Sequence, residues 1–202
     1  GTNTYVKIPE AVVAQKTMTI AMWAFINTTN AWMRLFDFGN NTTQYVFFSP
    51  NTGSESRFVM KNGGDEQILS ADKLSTGWHH VSVTISNEEV ALYIDGVKKA
   101  MSTTMTIRPY DIKPKLNYIG RSQFAVDPLF NGYVDDFRIY NYALSSDDVT
   151  KLYNGEEPTS IKKTMIMESG NVGVNDVYDI SGKKLSTPQK GLNIINGKKI
   201  NL

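Results

Sequence analysis

The sequence of 202 residues contains no cysteine, which excludes a disulfide framework and a thiolate zinc site. It has only two histidines and no apolar run long enough to span a membrane. The net charge is +1, so charge provides no basis for binding nucleic acid or an anionic membrane. We expect no nucleic-acid partner, no membrane insertion and a monomer. The length allows one sizeable domain and a small appendage.

Alternation of apolar and polar residues is the clearest structural signal in the chain. It runs from Val81 to Ile85 and resumes from Val90 to Ile94, which is the two-residue period of strands with one buried face. Asp95-Gly96 follows as a tight hairpin turn of type I′, because glycine adopts positive φ without steric cost. A meander with one apolar face needs a second sheet to cover it, so the sequence predicts an all-β sandwich.

Other segments have the same strand composition and are separated by loops rich in Asn, Thr, Gly and Ser. They are residues 5–8, 18–26, 34–38, 45–48, 57–60, 67–69, 117–121 and 130–141. Segment 18–26 is apolar on both faces, which predicts a central strand with Trp23 in the core. A short helix is predicted after Ser145, the N-cap residue, with Asp148 completing a capping box and Gly155 ending the helix.

Two motifs resemble the laminin-G-like branch of the concanavalin-A-like lectin/glucanase superfamily. The first is Trp78-His-His-Val81 followed by Leu92-Tyr-Ile-Asp-Gly96. The second is Phe130-Asn-Gly-Tyr-Val-Asp-Asp-Phe-Arg-Ile-Tyr140 followed by Ala143-Leu-Ser145. The resemblance covers about residues 2–154 and implies a jelly-roll sandwich of two antiparallel sheets.

The last part of the chain reads as a separate small β module. We predict a sandwich over residues 1–155, a linker over 156–163 and a module over 164–202, with strands at 177–180, 191–195 and 198–200. This module resembles the short C-terminal β modules of secreted proteins from glycan-foraging Gram-negative bacteria. The resemblance implies a secreted protein, or one at the cell surface or in the periplasm of such a bacterium.

Four residues in predicted loops or at strand ends are candidates for ligand binding. Trp32 ends a polar loop, where its flat apolar ring can cover a sugar; the alternative is that it folds back as a plug over the edge of the sandwich. Tyr110, Arg121 and Phe124 lie in or beside connections of the kind that carry binding residues at the end of a sandwich.

Asp135 is the candidate metal ligand. Counting by twos places it on the more apolar face of its strand, together with Tyr133 and Phe137, where a carboxylate needs hydrogen-bond donors or a cation. In the family that the chain resembles, this Asp often binds a structural Ca²⁺ with an N-terminal Asp. Here Thr4 stands in place of that Asp and Asn3 precedes it. A structural Ca²⁺ held by Asp135 and Asn3, and an Asp135 that is only hydrogen-bonded, both remain open.

The residues give no support for catalysis. His79 and His80 fall on opposite strand faces and cannot bind one metal together, and His79 is predicted to be a partly buried structural residue. Glucanases of this fold carry a Glu-x-Asp-x-x-Glu strand, which the chain lacks, and Glu88-Glu89 lie in a predicted turn. No Ser/His/Asp arrangement is recognisable.

The sequence therefore predicts a non-catalytic carbohydrate-binding or adhesion module whose partner is a glycan or glycoprotein. The alternative is a structural spacer or docking domain that accompanies a larger glycosidase. The fold alone does not separate the two, because one scaffold hosts many functions. Exposure of Trp32, Tyr110 and Phe124 on one surface would favour binding, and burial of all three would favour the spacer.

Overall fold

The computed structural model describes residues 4–159 and four short segments, 177–178, 184–185, 192–195 and 198–201. The chain divides into two compact units, residues 1–158 and residues 159–202. Among the described residues, no helix has the length and apolar character that a membrane-spanning helix requires.

Within residues 4–159, the strands form two antiparallel sheets. The strands are β1 (Val6–Lys7), β2 (Met18–Ile26), β3 (Phe36–Asn41), β4 (Gln44–Ser49), β5 (Glu55–Asn62), β6 (Gln67–Asp72), β7 (Gly77–Ile85), β8 (Val90–Ile94), β9 (Val97–Ser102), β10 (Leu116–Ile119) and β11 (Gly132–Tyr140). A six-stranded sheet has the order β1-β10-β3-β4-β5-β6, and a five-stranded sheet has the order β11-β2-β7-β8-β9. The predicted all-β jelly-roll sandwich is confirmed.

Both sheets contribute alternate side chains to one core. Along β7, Val81, Val83 and Ile85 are buried, and they share a hydrophobic cluster with Phe36 and Phe48 of the other sheet. The central position predicted for residues 18–26 is confirmed, because β2 pairs with β11 on one side and with β7 on the other.

Three short helices accompany the sheets: α1 (Glu10–Val13), α2 (Pro109–Ile112) and α3 (Ser146–Tyr153). The predicted cap of α3 is confirmed, since the Ser145 hydroxyl accepts a hydrogen bond from the Asp148 N–H at 3.2 Å. Val149 and Leu152 of α3 pack on Ala91 and Tyr93, which point away from the main core. The helix thereby covers part of the outer face of the five-stranded sheet.

The turn between β8 and β9 has the predicted geometry. Asp95 and Gly96 both have positive φ, 52° and 75°, as a type I′ hairpin requires. The C-terminal unit contains a four-stranded sheet of order β13-β12-β14-β15. Its strands are β12 (Val177–Tyr178), β13 (Lys184–Leu185), β14 (Leu192–Ile195) and β15 (Lys198–Asn201).

Candidate functional site

The face of the six-stranded sheet that points away from the core carries an aromatic patch. Phe48 lies in the core, so the two-residue period of β4 turns Tyr45 and Phe47 outward. Both rings stay buried, and Phe124, from the loop between β10 and β11, packs against their cluster. The rings of Tyr45 and Phe124 meet edge to face with centroids 5.7 Å apart.

A cleft of about 260 Å³ opens at this patch, and we call it the Trp32 cleft. Its lining comes from four separate segments of the chain: Trp32, Arg34, Phe47, Glu66, Phe124 and Asp127. The indole of Trp32 is 38% exposed and Phe124 is partly exposed, whereas Arg34 and Phe47 are buried. The cleft therefore offers two accessible aromatic side chains beside three charged groups.

Trp32 is held in an unusual backbone conformation. Its φ is 67°, in the left-handed region that large side chains rarely adopt. Its N–H donates to the Asn51 carbonyl at 2.7 Å, and its own carbonyl accepts from Arg34 Nη1 at 2.8 Å. Such conformations persist where surrounding contacts hold them and are concentrated at binding sites. The backbone of Trp32 is thus held by hydrogen bonds on both sides of the residue.

Arg34 lies at the base of the cleft. Its guanidinium carbon is 3.9 Å from the ring centroid of Phe47 and 5.5 Å from that of Trp32. Its Nη2 is 3.0 Å from Asp127 Oδ2, and its Nε is 3.6 Å from Asp37 Oδ2. Burial lowers the pKa of Arg34, which the two nearby carboxylates oppose.

Asp37 lies beneath the cleft and is fully buried. Burial raises its pKa to about 7, although the Gln123 N–H and Arg34 act in the opposite direction. The Gln123 N–H donates to Asp37 Oδ2 at 3.0 Å. Asp37 therefore connects the loop that carries Phe124 to the arginine that supports Trp32.

The two carboxylates that line the cleft are both hydrogen-bonded within the protein. Asp127 Oδ2 accepts from the Ser122 hydroxyl at 2.8 Å in addition to its ion pair with Arg34. Glu66 accepts a short hydrogen bond from the Tyr45 hydroxyl. The pKa of Tyr45 is raised, mainly by burial and to a smaller extent by this hydrogen bond to Glu66. The network fixes both carboxylates in orientation and leaves them acceptor capacity for a ligand hydroxyl.

The structure brings together two of the four residues predicted to bind a ligand. Trp32 and Phe124 line the same cleft. Arg121 lines a neighbouring depression of about 350 Å³, which shares Phe124 and Asp127 with the cleft. Its guanidinium lies 4.7 Å from the ring centroid of Tyr5. Tyr110 is 45% exposed on α2, outside the cleft, with Lys16 Nζ 5.0 Å from its ring centroid.

Four lining residues were missed by the sequence analysis: Arg34, Phe47, Glu66 and Asp127. Arg34 carried a usable signal, because it is a charged residue between apolar neighbours at the start of a predicted strand. Such a residue needs a buried partner. Glu66 and Asp127 carried none, since acidic residues in polar loops are ordinarily solvated.

The predicted orientation of Asp135 was wrong. A bulge in β11 between Asp135 and Arg138, with Asp136 at φ 48°, shifts the register against β2. Asp135 consequently lies opposite Trp23 on the outer face and is exposed, and its Oδ1 accepts the Asp136 N–H at 2.8 Å. Asp136 forms an ion pair with Arg138, whose Nε lies 2.7 Å from Asp136 Oδ1.

The calcium site predicted from Asp135 and Asn3 involves a residue outside the described part of the chain, since Asn3 is not among the described residues. Within the described residues, no three or more His, Cys, Asp or Glu side chains are grouped so that they could hold a metal ion. The predicted site consists of Asp135 and Asn3 and does not need three such side chains, so calcium binding stays a prediction.

The histidines have the predicted structural character. His79 is partly buried, and its Nδ1 lies 3.0 Å from Asp95 Oδ2. His80 faces the other way, is buried against Trp23, and has its pKa lowered by burial to about 4.

A Ser/His/Asp arrangement, which the sequence analysis did not recognise, is present. The exposed Ser75 hydroxyl lies 3.2 Å from His79 Nε2, so Ser75, His79 and Asp95 form a hydrogen-bonded row. Asp95 Oδ1 also accepts the His80 N–H at 2.8 Å. These bonds tie the β8–β9 turn to β7, which gives the row a structural role.

The predicted core position of Trp23 was wrong. The side chain is partly exposed on the outer face of the five-stranded sheet. It stacks on Tyr153 of α3 with ring centroids 5.5 Å apart. The apolar run in β2 thus reflects a strand that packs on the core with one face and under a helix with the other.

A family model described as the concanavalin A-like lectin/glucanases superfamily matches residues 1–150. Among curated proteins, usherin of Rattus norvegicus is 32% identical over 85 residues, which are 40% of this chain and 2% of usherin. An alpha-L-arabinofuranosidase of Bifidobacterium longum subsp. longum is 21% identical over 132 residues, which are 64% of this chain and 12% of that protein. The chain thus corresponds to a small part of each relative.

Solved structures with this fold include domain 4 of AbnA, a GH43 extracellular arabinanase from Geobacillus stearothermophilus, in complex with arabinotriose. It has a TM-score of 0.65 at 21% identity, covering 74% of this chain and 72% of that one. The CBM40 of a Ruminococcus gnavus IT-sialidase, bound to alpha2,3 sialyllactose, has a TM-score of 0.62 at 16% identity, covering 75% and 97%. At these identities the likeness establishes the fold.

Proposed function

Because the chain belongs to the concanavalin A-like lectin/glucanases superfamily, we propose that it is a non-catalytic carbohydrate-binding or adhesion module. The observation that carries this proposal is the Trp32 cleft, where Trp32 and Phe124 expose aromatic surface beside polar groups of fixed orientation. Sites for small ligands typically combine apolar walls with a few well-placed polar groups.

The chemistry of the cleft suits a sugar ring. The indole of Trp32 supplies a flat apolar surface for the C–H face of a pyranose or furanose. Glu66 and Asp127 supply carboxylate oxygens that accept hydrogen bonds from sugar hydroxyls. The backbone of Trp32 is already held by hydrogen bonds, so binding does not require this part of the loop to become ordered.

The neighbours in fold support a glycan as the ligand. One was solved with arabinotriose and the other with sialyllactose, and both belong to proteins that act on glycans. The first belongs to an extracellular arabinanase. This supports, as part of our proposal, a secreted or surface location for this protein. The proposed Gram-negative source rests on the resemblance of residues 164–202 to C-terminal modules of such bacteria.

A binding role fits the carboxylates better than a catalytic one. Asp127 is held in an ion pair with Arg34, and Glu66 accepts the Tyr45 hydroxyl. A glycosidase needs one carboxylic acid that donates a proton to the leaving oxygen and a second that acts as nucleophile or base. Asp127 is held by Arg34 and by the Ser122 hydroxyl, and this arrangement supports the arginine at the base of the cleft.

Glycan binding is tested on a printed array and then by calorimetry with the oligosaccharides that bind. We expect Trp32→Ala and Phe124→Ala each to weaken binding at least about tenfold, because each removes apolar surface that covers the sugar. Tyr110→Ala is the matched control, since it removes an exposed aromatic ring outside the cleft, and it should leave affinity unchanged. Repeating the measurements with EDTA tests the predicted structural Ca²⁺.

The proposal fails if the full chain binds no glycan with or without EDTA. It also fails if Tyr110→Ala weakens binding as much as Trp32→Ala does. Release of new reducing ends from a bound oligosaccharide would contradict the non-catalytic assignment.

A spacer or docking domain is the second candidate function, and an aromatic row on the five-stranded sheet favours it. Tyr133, Phe25 and Trp78 lie in register on β11, β2 and β7, with ring centroids 6.0 and 5.4 Å apart. Trp78 is 49% exposed and Tyr133 is 65% exposed, and exposed apolar patches of this kind mark interaction surfaces. If the double variant Trp78→Ser/Tyr133→Ser still binds glycan, this aromatic row does not contribute to glycan binding at the Trp32 cleft.

A further inference from the structure

We infer that the Trp32 cleft selects neutral glycans and discriminates against acidic ones, such as sialylated or uronic-acid oligosaccharides. This inference rests on the proposed glycan-binding function of the same cleft. The inference concerns the class of ligand. It is based on the charges that line the cleft and on the contacts that Arg34 already makes within the protein.

Negative charge outnumbers positive charge at the cleft. Among the described residues, the lining contains one cationic side chain, Arg34, and two carboxylates, Glu66 and Asp127. A ligand carboxylate placed in the cleft would lie near these acidic groups, and like charges brought together in a partly desolvated site oppose binding.

The single cation in the lining is already engaged. Two of the three nitrogens of Arg34 have close oxygen partners: Nη1 donates to the Trp32 carbonyl at 2.8 Å, and Nη2 lies 3.0 Å from Asp127 Oδ2. The third, Nε, is buried 3.6 Å from Asp37 and makes no hydrogen bond. The side chain is 2% exposed. A sugar carboxylate would have to displace Asp127 to form a bidentate pair with this guanidinium, and the displaced Asp127 would lose its partner.

Two further arginines lie near the cleft, of which Arg57 is ion-paired and Arg121 contacts aromatic rings. Arg57 lies opposite Ser49 in the sheet, on the same outward face as Phe47, and it forms an ion pair with Glu55. Arg121 lies in the neighbouring depression, with its guanidinium 5.1 Å from the ring centroid of Tyr118. Neither belongs to the lining of the cleft.

Neutral sugars suit the same arrangement. Their hydroxyls are donors, and the free lone pairs of Glu66 and Asp127 are acceptors, so carboxylate–hydroxyl hydrogen bonds form without a charge conflict. The charge pattern that disfavours an acidic sugar therefore contributes to affinity for a neutral one.

The test compares matched neutral and acidic ligands on the full chain by calorimetry. The pairs are lactose with 3′-sialyllactose and galactotriose with the galacturonic acid trimer, and arabinotriose is added as a neutral pentose ligand. We expect at least one neutral ligand to bind, and its acidic counterpart to bind at least about tenfold more weakly. We call this difference in affinity between a neutral ligand and its acidic counterpart the gap. The gap should narrow as salt is added, because screening weakens charge repulsion.

Two variants test whether these carboxylates cause the discrimination. Asp127→Asn releases Arg34 from its ion pair, so we expect the affinity for 3′-sialyllactose or the galacturonic acid trimer to rise and the gap to close. Glu66→Gln removes one negative charge without unpairing Arg34, and it should narrow the gap even if Asp127→Asn does not fold. Glu88→Gln is the matched control, because it removes an exposed carboxylate in the β7–β8 turn and should leave the gap unchanged.

The outcomes distinguish this inference from the function on which it rests. Equal or tighter binding of an acidic ligand than of its neutral counterpart would overturn the neutral preference and leave glycan binding intact. A gap that neither Asp127→Asn nor Glu66→Gln narrows would overturn the charge argument. Binding of none of the five ligands, with an empty glycan array, would refute the proposed function and the inference with it.

Discussion

At the scale of single residues, the Trp32 cleft depends on a buried group of charges that its ligand need not touch. Arg34 supports the carbonyl of Trp32, and Asp37 holds the Gln123 N–H of the loop that carries Phe124. The two aromatic walls of the cleft are thus connected through one arginine and one aspartate. A change in the charge of Asp37 is therefore expected to affect both stability and the geometry of the cleft.

Asp37 is expected to make the sandwich less stable as pH rises. Its pKa in the folded chain is about 7, above its ordinary value of 3.8, so between these values the folded chain keeps a proton that the unfolded chain has lost. The stabilising contribution is complete below about pH 4 and is lost as pH rises through about 7. At about 1.4 kcal/mol for each pKa unit, it amounts to roughly 4 kcal/mol.

The measurement is urea unfolding of the wild type and of Asp37→Asn across this pH range. Asn stays neutral, so the wild type should lose roughly 4 kcal/mol of unfolding free energy relative to Asp37→Asn between about pH 4 and pH 8. His80 and the other titrating groups are common to both proteins and cancel. A difference that stays constant with pH would mean that Asp37 is ionised throughout, stabilised by Arg34.

At the scale of elements, turns and bulges decide which side chains face the core. The β8–β9 hairpin places Asp95 and Gly96 in left-handed conformations, and the Asp95 carboxylate binds back to His79 and to the His80 N–H. The bulge at Asp136 turns Asp135 outward. The hairpin is encoded in its own two residues, whereas the bulge appears only when β11 pairs with β2.

Gly96 is expected to be less tolerant of substitution than another glycine of similar conformation. A Cβ on Gly96 would lie 2.9 Å from the Tyr153 ring, whereas a Cβ on Gly63 would meet nothing within 4 Å. Their φ values are 75° and 82°, so both alanine variants pay about 1 kcal/mol for left-handed backbone. Gly96→Ala should cost at least about 1 kcal/mol more than Gly63→Ala, because of the overlap with Tyr153.

Chemical denaturation of both variants, each also in a Tyr153→Ala background, checks this expectation. Removing the ring of Tyr153 should abolish the extra cost at position 96 and leave the cost at position 63 unchanged. Equal costs for the two glycines in the wild-type background would show that α3 yields to the added methyl group.

At the scale of the whole molecule, both sheets of the sandwich and all three described helices lie within the first compact unit, residues 1–158. The main core and the cluster beneath α3 are formed by residues of that unit. A compact unit with its own hydrophobic core can in general fold alone.

We therefore expect residues 1–158 to fold without the rest of the chain. The truncated protein should unfold in a single cooperative transition with a melting temperature within a few degrees of that of the sandwich in the full chain. Calorimetry of both proteins, with near-ultraviolet circular dichroism as a check of native packing, measures this. Loss of the cooperative transition on truncation would show that residues 159–202 are needed for the fold of the sandwich.

The sequence by itself determined the features that depend on near neighbours in the chain. Alternation predicted the strands, Asp95-Gly96 predicted the hairpin, and Ser145 with Asp148 predicted the cap of α3. Each depends on side chains only a few residues apart, so a single stretch of sequence contains the whole interaction. The two motifs that resemble the laminin-G-like branch then fixed the sandwich architecture.

Only the tertiary structure decided the site and its charges. Trp32, Glu66 and Phe124 are far apart in the chain, and they meet because three loops converge over the outer face of one sheet. The burial of Arg34 and Asp37, and hence the raised pKa of that aspartate, follows from this packing. Burial and long-range contact are properties of the assembled sheets, and no local pattern of residues encodes them.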